Sequence, residues 1–205
     1  MITIINYEAG NLTSVKRALD YLGIDSFITS DPETISKSEK IIFPGVGNAE
    51  SAMAMLVKSG INEALHDAFK KKTPILGICL GTQIILSHSD EGDTVCLGLI
   101  EGNCPKFDLE DKSLKIPHMG WNRISFRKKH FIFRDFPDNA EVYFVHSYYP
   151  VPSDSKNILA YTEYGIEFPS VIGSDNLIAT QFHLEKSGET GLAILKNFSL
   201  WDGKL

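Results

Sequence analysis

A mostly parallel β-sheet covered by helices on both faces is the fold this sequence predicts. Short apolar runs at residues 2–6, 26–29 and 40–43 alternate with segments whose apolar residues recur at helical spacing, a β-α-β-α-β order. Ile2 to Ile5 and Ile41 to Phe43 are near-continuous apolar runs, the mark of strands buried on both faces. The 205 residues suit one α/β domain spanning the whole chain, 1–205, long enough to bury a core.

The first strand runs from Ile2 to Asn6. Glu8-Ala9-Gly10-Asn11 is a turn, with Asn11 as N-cap of a helix built on Leu12, Val15, Leu19 and Leu22 and stopped by Gly23. The second strand is Ser26 to Thr29. Asp31-Pro32-Glu33 begins another helix. Lys40 to Phe43 is the third strand, and Pro44-Gly45-Val46-Gly47 follows it directly. Ligands of such sheets bind beyond the carboxyl ends of strands. Two glycines there let backbone N–H groups face a ligand, although an ordinary turn reads the same way. Ala49, Ala52, Met53 and Leu56 lie on one helix, Gly60 breaks it, and residues 61–71 form the next. Met53 and Met55 read as packing, and Lys70-Lys71-Lys72 as a solvated helix end.

Residues 73–83 carry the main chemical signal. Ile75 to Ile78 reads as a buried strand, and Thr82 to Leu86 as the start of a helix. Between them stands Gly77-Ile78-Cys79-Leu80-Gly81. A cysteine framed by glycines at a strand-to-helix turn is a nucleophile elbow with sulfur in place of oxygen. The helix start aims N–H groups and the positive dipole end at that sulfur, which favours a thiolate. The alternative is a small core residue.

Ser87 to Asp93 reads as a polar loop in which Glu91 either meets an ammonium group or is a plain surface carboxylate. Leu97 to Ile100 is apolar, and Glu101-Gly102-Asn103 turns. Residues 116–122 read as an ordered surface loop, and Glu141 to Tyr149 as a strand with a polar, aromatic end. The Trp and Tyr side chains there are either cover for a core or interface anchors. Asn176 to Phe182 is the last strand, and Leu192, Leu195 and Phe198 mark a closing helix. His183 falls just past that strand, on the same edge as Cys79 and the 44–47 loop. In extended backbone, residues i and i+2 point the same way, so Glu185 would hold the His183 ring through its second nitrogen.

Composition narrows the function. The net charge is -6 with no long basic run, which argues against nucleic acid or an anionic membrane as partner. The 3 cysteines have no zinc-finger spacing and form no disulfide framework, which fits a reduced, cytoplasmic protein. No stretch reaches transmembrane length, the N-terminus reads as a strand rather than a leader, and no metal or cofactor is expected.

Gly77 to Gln83 and Gln181-Phe182-His183-Leu184-Glu185 resemble the two signatures of class I (triad) glutamine amidotransferases. Residues 43–47, Pro117-His118-Met119-Gly120-Trp121-Asn122, Tyr143 to Tyr148 and Gly10-Asn11-Leu12 are similar to the glutaminase subunits of imidazole glycerol phosphate synthases. The resemblance covers essentially the whole chain. It implies a flavodoxin-like three-layer α/β/α sandwich with a mostly parallel sheet and a mixed, antiparallel C-terminal part. It implies hydrolysis of L-glutamine by a Cys79–His183–Glu185 triad and delivery of ammonia to a separate (β/α)8-barrel cyclase of histidine biosynthesis, the two forming a heterodimer.

The residue roles follow from the same resemblance. Val46, Gly47 and Leu80 would form the oxyanion hole. Gly45, Gln83, Glu91, Ser147 and Tyr148 would bind glutamine. Asn11, Met119, Trp121, Tyr143 and Lys186 would face the cyclase. Two positions depart from the family pattern: Thr82 stands in place of Met, and Leu184 in place of Pro. Losing that proline adds a backbone donor and frees φ beside His183. Three alternatives stay open at this point. One is a paralogue that feeds another synthase, as in surface-sugar amidation. Another is a degenerate regulatory homologue, and the third a cysteine-elbow hydrolase of the α/β-hydrolase type.

Overall fold

The computed structural model describes residues 1–8 and 11–204, so the turn expected through Ala9 and Gly10 lies outside the described residues. The chain begins β1 (Ile2–Ile5), α1 (Leu12–Tyr21), β2 (Ser26–Thr29), α2 (Pro32–Ser36) and β3 (Ile41–Gly45). Two helices follow, α3 (Ala49–Ser59) and α4 (Ile61–Lys70), then β4 (Ile75–Cys79) and α5 (Leu80–Ile84). Short strands come next: β5 (His88–Ser89), β6 (Thr94–Val95), β7 (Gly102–Cys104), β8 (His118–Arg123) and β9 (Ser125–Phe126). The remainder is β10 (Glu141–His146), β11 (Val151–Pro152), β12 (Ile158–Glu163), β13 (Glu167–Ser174), β14 (Leu177–Thr180) and α6 (Gly188–Leu200).

The main sheet has the order β2-β1-β3-β4-β14-β13-β12-β9. Its first five strands are mutually parallel and the last three antiparallel, which bears out the mixed sheet expected from the sequence. Alternate strand residues feed two cores. Ile41, Phe43, Ile75 and Ala179 pack with residues of α3 and α4 on one face. Ile4, Ile42, Leu76 and Ile178 pack with Val15 and Leu19 of α1 and Ile194, Leu195 and Phe198 of α6 on the other. Each of the Val, Ile, Leu and Phe side chains among them stabilises the fold by about 1.5–3 kcal/mol when fully buried. Among the described residues, no helix is long and apolar enough to cross a membrane.

Local chemistry sets the helix ends. The Asp31 carboxylate accepts from the N–H groups of Glu33 and Thr34, and the Asn48 side chain accepts from Ser51 N–H at 2.8 Å. Gly60 takes φ +75° between α3 and α4, a left-handed conformation that glycine adopts freely. Asn11 holds the N-cap position of α1, but its side chain makes no capping bond.

Several expected elements shift. Residues 118–123 are a strand, not a loop, paired antiparallel with β10 so that Met119 faces Val145 and Trp121 faces Tyr143. Polar and aromatic residues alternate there without an apolar period, which hid the strand. Residues 87–93 belong to a small hairpin, and 102–104 to β7 of a second sheet ordered β11-β7-β5-β6. Strands β12 and β13 left no clear signal. Pro169 sits inside β13 opposite an irregular stretch of β12, where a missing ladder N–H is tolerated.

The start of α5 leaves no room for a side chain at Gly81. A Cβ there would lie 2.0 Å from the Phe43 carbonyl oxygen. Gly81→Ala is expected to lower stability by about 1–3 kcal/mol or more, read as a shift in the urea unfolding midpoint.

Candidate active site

Cys79 ends β4 with φ 54° and ψ −107°, a left-handed backbone that a non-glycine residue rarely adopts. Such strain costs about 1–3 kcal/mol and persists only where neighbours fix the conformation. Here they do. Cys79 pairs with Gly45 of β3, and α5 starts at once with Leu80 rather than at Thr82 as the sequence suggests. α5 is only five residues long, so what it offers the sulfur is mainly the free N–H groups of its first turn. The Thr82 hydroxyl donates to the Thr180 carbonyl at 2.6 Å, which ties α5 to β14. The residue that departs from the family pattern thus braces the elbow against the strand leading to His183.

The Cys79 sulfur lines a cavity of about 290 Å³ together with Val46, Gly47, Leu80, Gln83, Glu91, Ser147, Tyr148 and His183. As a thiol it lies 3.9 Å from the Val145 carbonyl, and Gln181 Nε2 lies 3.8 Å from it.

His183 is fixed from several sides. Its N–H donates to the Tyr143 carbonyl at 2.9 Å, and its Nδ1 meets Glu185 Oε1 at 2.8 Å. The extended i, i+2 geometry expected for this pair is replaced by a tight 3-10 turn over Leu184–Lys186, across which the two side chains close. Leu184 is fully buried in that turn. Ser187 supplies the rigidity that a proline would give: its hydroxyl donates to the His183 carbonyl at 2.6 Å and accepts from Tyr143 N–H at 3.0 Å.

The side chains of His183 and Glu185 are each 2% exposed. Burial by itself opposes charge on the ring, but the Cys79 sulfur and the Glu185 carboxylate outweigh it and raise the imidazole pKa to about 10. With Nδ1 donating to Glu185, Nε2 carries the other proton. It is buried and, among the described residues, has no hydrogen-bond partner of good geometry.

The other expected residues separate into groups. Val46 is 40% exposed and Gly47 has φ +109°; both lie at the cavity. Gly45 is not among the lining residues. The hydrogen where its Cβ would be faces the Tyr7 hydroxyl and Leu80, so only glycine fits at this position. The Gln83 amide donates to the Tyr148 carbonyl at 3.0 Å and to Gln181 Oε1 at 3.2 Å, which leaves its oxygen as the free acceptor. Glu91 Oε2 accepts from Ala49 N–H at 2.8 Å, at the start of α3. Met119 and Trp121 are 62% and 54% exposed. The Trp121 and Tyr143 rings lie 6.0 Å apart, and Lys186 Nζ stands 5.5 Å from the Tyr143 ring centre. Asn11 begins α1, a helix packed against the Leu184–Lys186 turn.

Sequence reasoning missed a buried polar chain beside the cavity. Asn122 donates to His118 Nε2 at 3.3 Å, His118 Nδ1 donates to His146 Nε2 at 3.0 Å, and His146 Nδ1 donates to the Tyr148 carbonyl at 2.8 Å. The terminal carbonyl fixes both tautomers, and both rings are neutral. Burial lowers His118 to about 4 and His146 to about 3. Both residues lie in stretches singled out in the sequence, but nothing along the chain says that they meet.

Folded-state values below the unfolded ones mean that the unfolded chain binds more protons as pH falls. Stability should therefore drop from about pH 6.5 down to about 3, the interval between unfolded and folded values. His183, raised instead, keeps its full contribution throughout that range and loses it progressively as pH rises from about 6.5 to about 10. The urea midpoint should fall between pH 7 and pH 5, and less steeply in a His118→Gln, His146→Gln double variant.

The family described as glutamine amidotransferase class-I matches residues 3–200. The chain is 49% identical over 203 residues to "Imidazole glycerol phosphate synthase subunit HisH" of Maridesulfovibrio salexigens, covering 97% of this chain and 95% of that one. It is 43% identical to the protein of the same name from Neisseria meningitidis serogroup B, covering 97% and 98%. Among solved structures, PurLQS from Thermotoga maritima superposes with a TM-score of 0.73 at 18% identity, covering 96% of this chain and 96% of that one. That likeness speaks for the fold alone.

Proposed function

The chain belongs to the class-I glutamine amidotransferases, and on that premise we propose that it hydrolyses L-glutamine to L-glutamate and ammonia as the glutaminase subunit of an imidazole glycerol phosphate synthase. One observation carries the reading of the site. An elbow cysteine and a charged imidazole backed by a buried carboxylate border one small cavity, in a chain similar over nearly its full length to such subunits.

The chemistry follows from the atoms. Glutamine's side-chain amide is a weak electrophile with a poor leaving group. Cys79 attacks the amide carbon as thiolate, forming a carbon–sulfur bond and pushing the carbonyl electrons onto oxygen. The N–H groups of Leu80 and of the Val46–Gly47 segment receive that oxyanion. Losing one such donor typically costs about 2.7–4 kcal/mol of transition-state stabilisation. His183 Nε2–H gives its proton to the nitrogen as the carbon–nitrogen bond breaks, releasing ammonia and leaving a γ-glutamyl thioester. The ring, now neutral, takes a proton from water. The resulting hydroxide cleaves the thioester, and the thiolate–imidazolium pair is restored. Glu185 keeps Nδ1 protonated and the ring in register. The free oxygens of Gln83 and Glu91, with Ser147 and Tyr148, orient the substrate.

Residues 1–205 act as one glutaminase domain in the cytoplasm, where the thiol stays reduced. Ammonia released into neutral water becomes mostly ammonium, a poor nucleophile, so a dry path to the acceptor is required. The surface cluster of exposed Met119, Trp121 and Lys186 with half-buried Tyr143, and with Asn11 beside it, docks a (β/α)8-barrel cyclase of histidine biosynthesis. The Val46 segment is the lever by which that partner switches on hydrolysis, by turning a backbone N–H toward the oxyanion.

Cys79→Ala should abolish glutamine hydrolysis, measured as glutamate formed; undiminished turnover would reject the assignment. The isolated chain should hydrolyse glutamine weakly and be strongly stimulated by the cyclase with its nucleotide bound. Equal rates with and without the partner would sink the gating mechanism.

A further inference from the structure

Gln181 follows β14 and precedes Phe182 and His183. Its side chain is fully buried. An amide removed from water needs its donors and acceptor satisfied, so an apolar residue would be the cheaper occupant of this place. The contacts explain why an amide stands here. Its backbone N–H goes to the Ser170 carbonyl at 2.9 Å, which fixes the main chain. Its Oε1 accepts from Gln83 Nε2 at 3.2 Å, and Gln83 is itself held by the Tyr148 carbonyl at 3.0 Å. Only the oxygen of a carboxamide can accept, so Gln181 has one orientation, and in it Nε2 turns toward Cys79. Nε2 lies 3.8 Å from the sulfur, the one acceptor within its reach among the described residues.

We propose that Gln181 is a further catalytic residue of this site, whose Nε2–H holds the charged sulfur of Cys79 through both halves of the reaction. The proposal rests on the reading of Cys79 as nucleophile. An N–H donor stabilises a thiolate far more than a thiol, and catalytic hydrogen bonds that are long in a substrate-free site tighten in the complex with substrate. The contribution differs in kind from that of His183. The imidazolium gives its proton to the departing nitrogen in the first half-reaction, so its charge comes and goes as the ring passes from acid to base and back. A neutral amide loses no proton, and its N–H still faces the departing thiolate.

The ionisable groups around Cys79 are Tyr7 beyond β1, His146 of β10, His183 and Glu185 beyond β14, and Glu91 at the cavity. Gln181 is uncharged, so its effect adds to theirs at every pH.

Alkylation of Cys79 by iodoacetamide, followed by peptide mass spectrometry from pH 5 to 10 on the full chain, tests this on the sulfur itself. Cys96 and Cys104 serve as internal controls. Gln181→Met removes the donor, and its alkylation at pH 7 should be about tenfold slower, with the midpoint of the pH profile moved upward. Gln181→Glu keeps an oxygen for Gln83 but sets a carboxylate beside the sulfur, and should be slower still. It covers the case in which the Met variant fails to fold. A folded Gln181→Met or Gln181→Glu chain with the unaltered pH profile would overturn the proposal and leave the glutaminase reading intact. Unimpaired glutamine hydrolysis by wild-type chain fully alkylated at Cys79 would overturn both.

Discussion

The parallel pairing of β14 with β4 is the constraint on which the rest of the site depends. In that register Thr180 lies beside Ile78 and Ala179 beside Gly77. The chain therefore leaves β14 for His183 at the rim where β4 ends in Cys79, although about 100 residues separate the two in sequence. On the other side Gly45 pairs with Cys79, which brings the Val46–Gly47 segment to the same rim. Three strand ends, contributed from three parts of the chain, converge because hydrogen-bonded neighbours in a parallel sheet share one direction.

That convergence makes the energetic demands of the site bearable. The strained backbone at Cys79 costs about 1–3 kcal/mol, while burying Leu80 and Ile84 on the turn that follows returns about 1.5–3 kcal/mol each. The larger demand is electrical. His183 and Glu185 are both nearly inaccessible, and removing one member of such a pair typically costs about 3–5 kcal/mol because a charge is left uncompensated. Their geometry is secured by neutral contacts from the Ser187 hydroxyl and the Tyr143 backbone, so the charged pair need not hold itself in place.

The β8–β10 ribbon joins the site to the surface. Its exposed side presents Met119 and Trp121, its backbone at Tyr143 accepts from His183 N–H, and its buried side carries the His118–His146 pair. From Asn122 a chain of hydrogen bonds passes through both rings to the Tyr148 carbonyl, then through Gln83 and Gln181 to the sulfur. A surface bound on the outer side of this ribbon is thus only one layer from the reacting atoms.

The sequence by itself determined the α/β class, the strands β1 to β4 and their helices, and the elbow around Cys79, because each is written in local periodicity, caps and glycines. It also marked His183 and Glu185, since a histidine and a carboxylate past an apolar run form a local pattern. Only the tertiary structure decided that Gly45 is closely packed by Tyr7 and Leu80 and that Thr82 braces the elbow. The 3-10 turn joining His183 to Glu185, the strand at 118–123 and the meeting of Gln181 with Cys79 likewise emerged only there. The reason is physical. Local signals report how a residue's backbone runs, whereas a buried polar group's role is set by the partner it finds, and those partners come from strands distant along the chain.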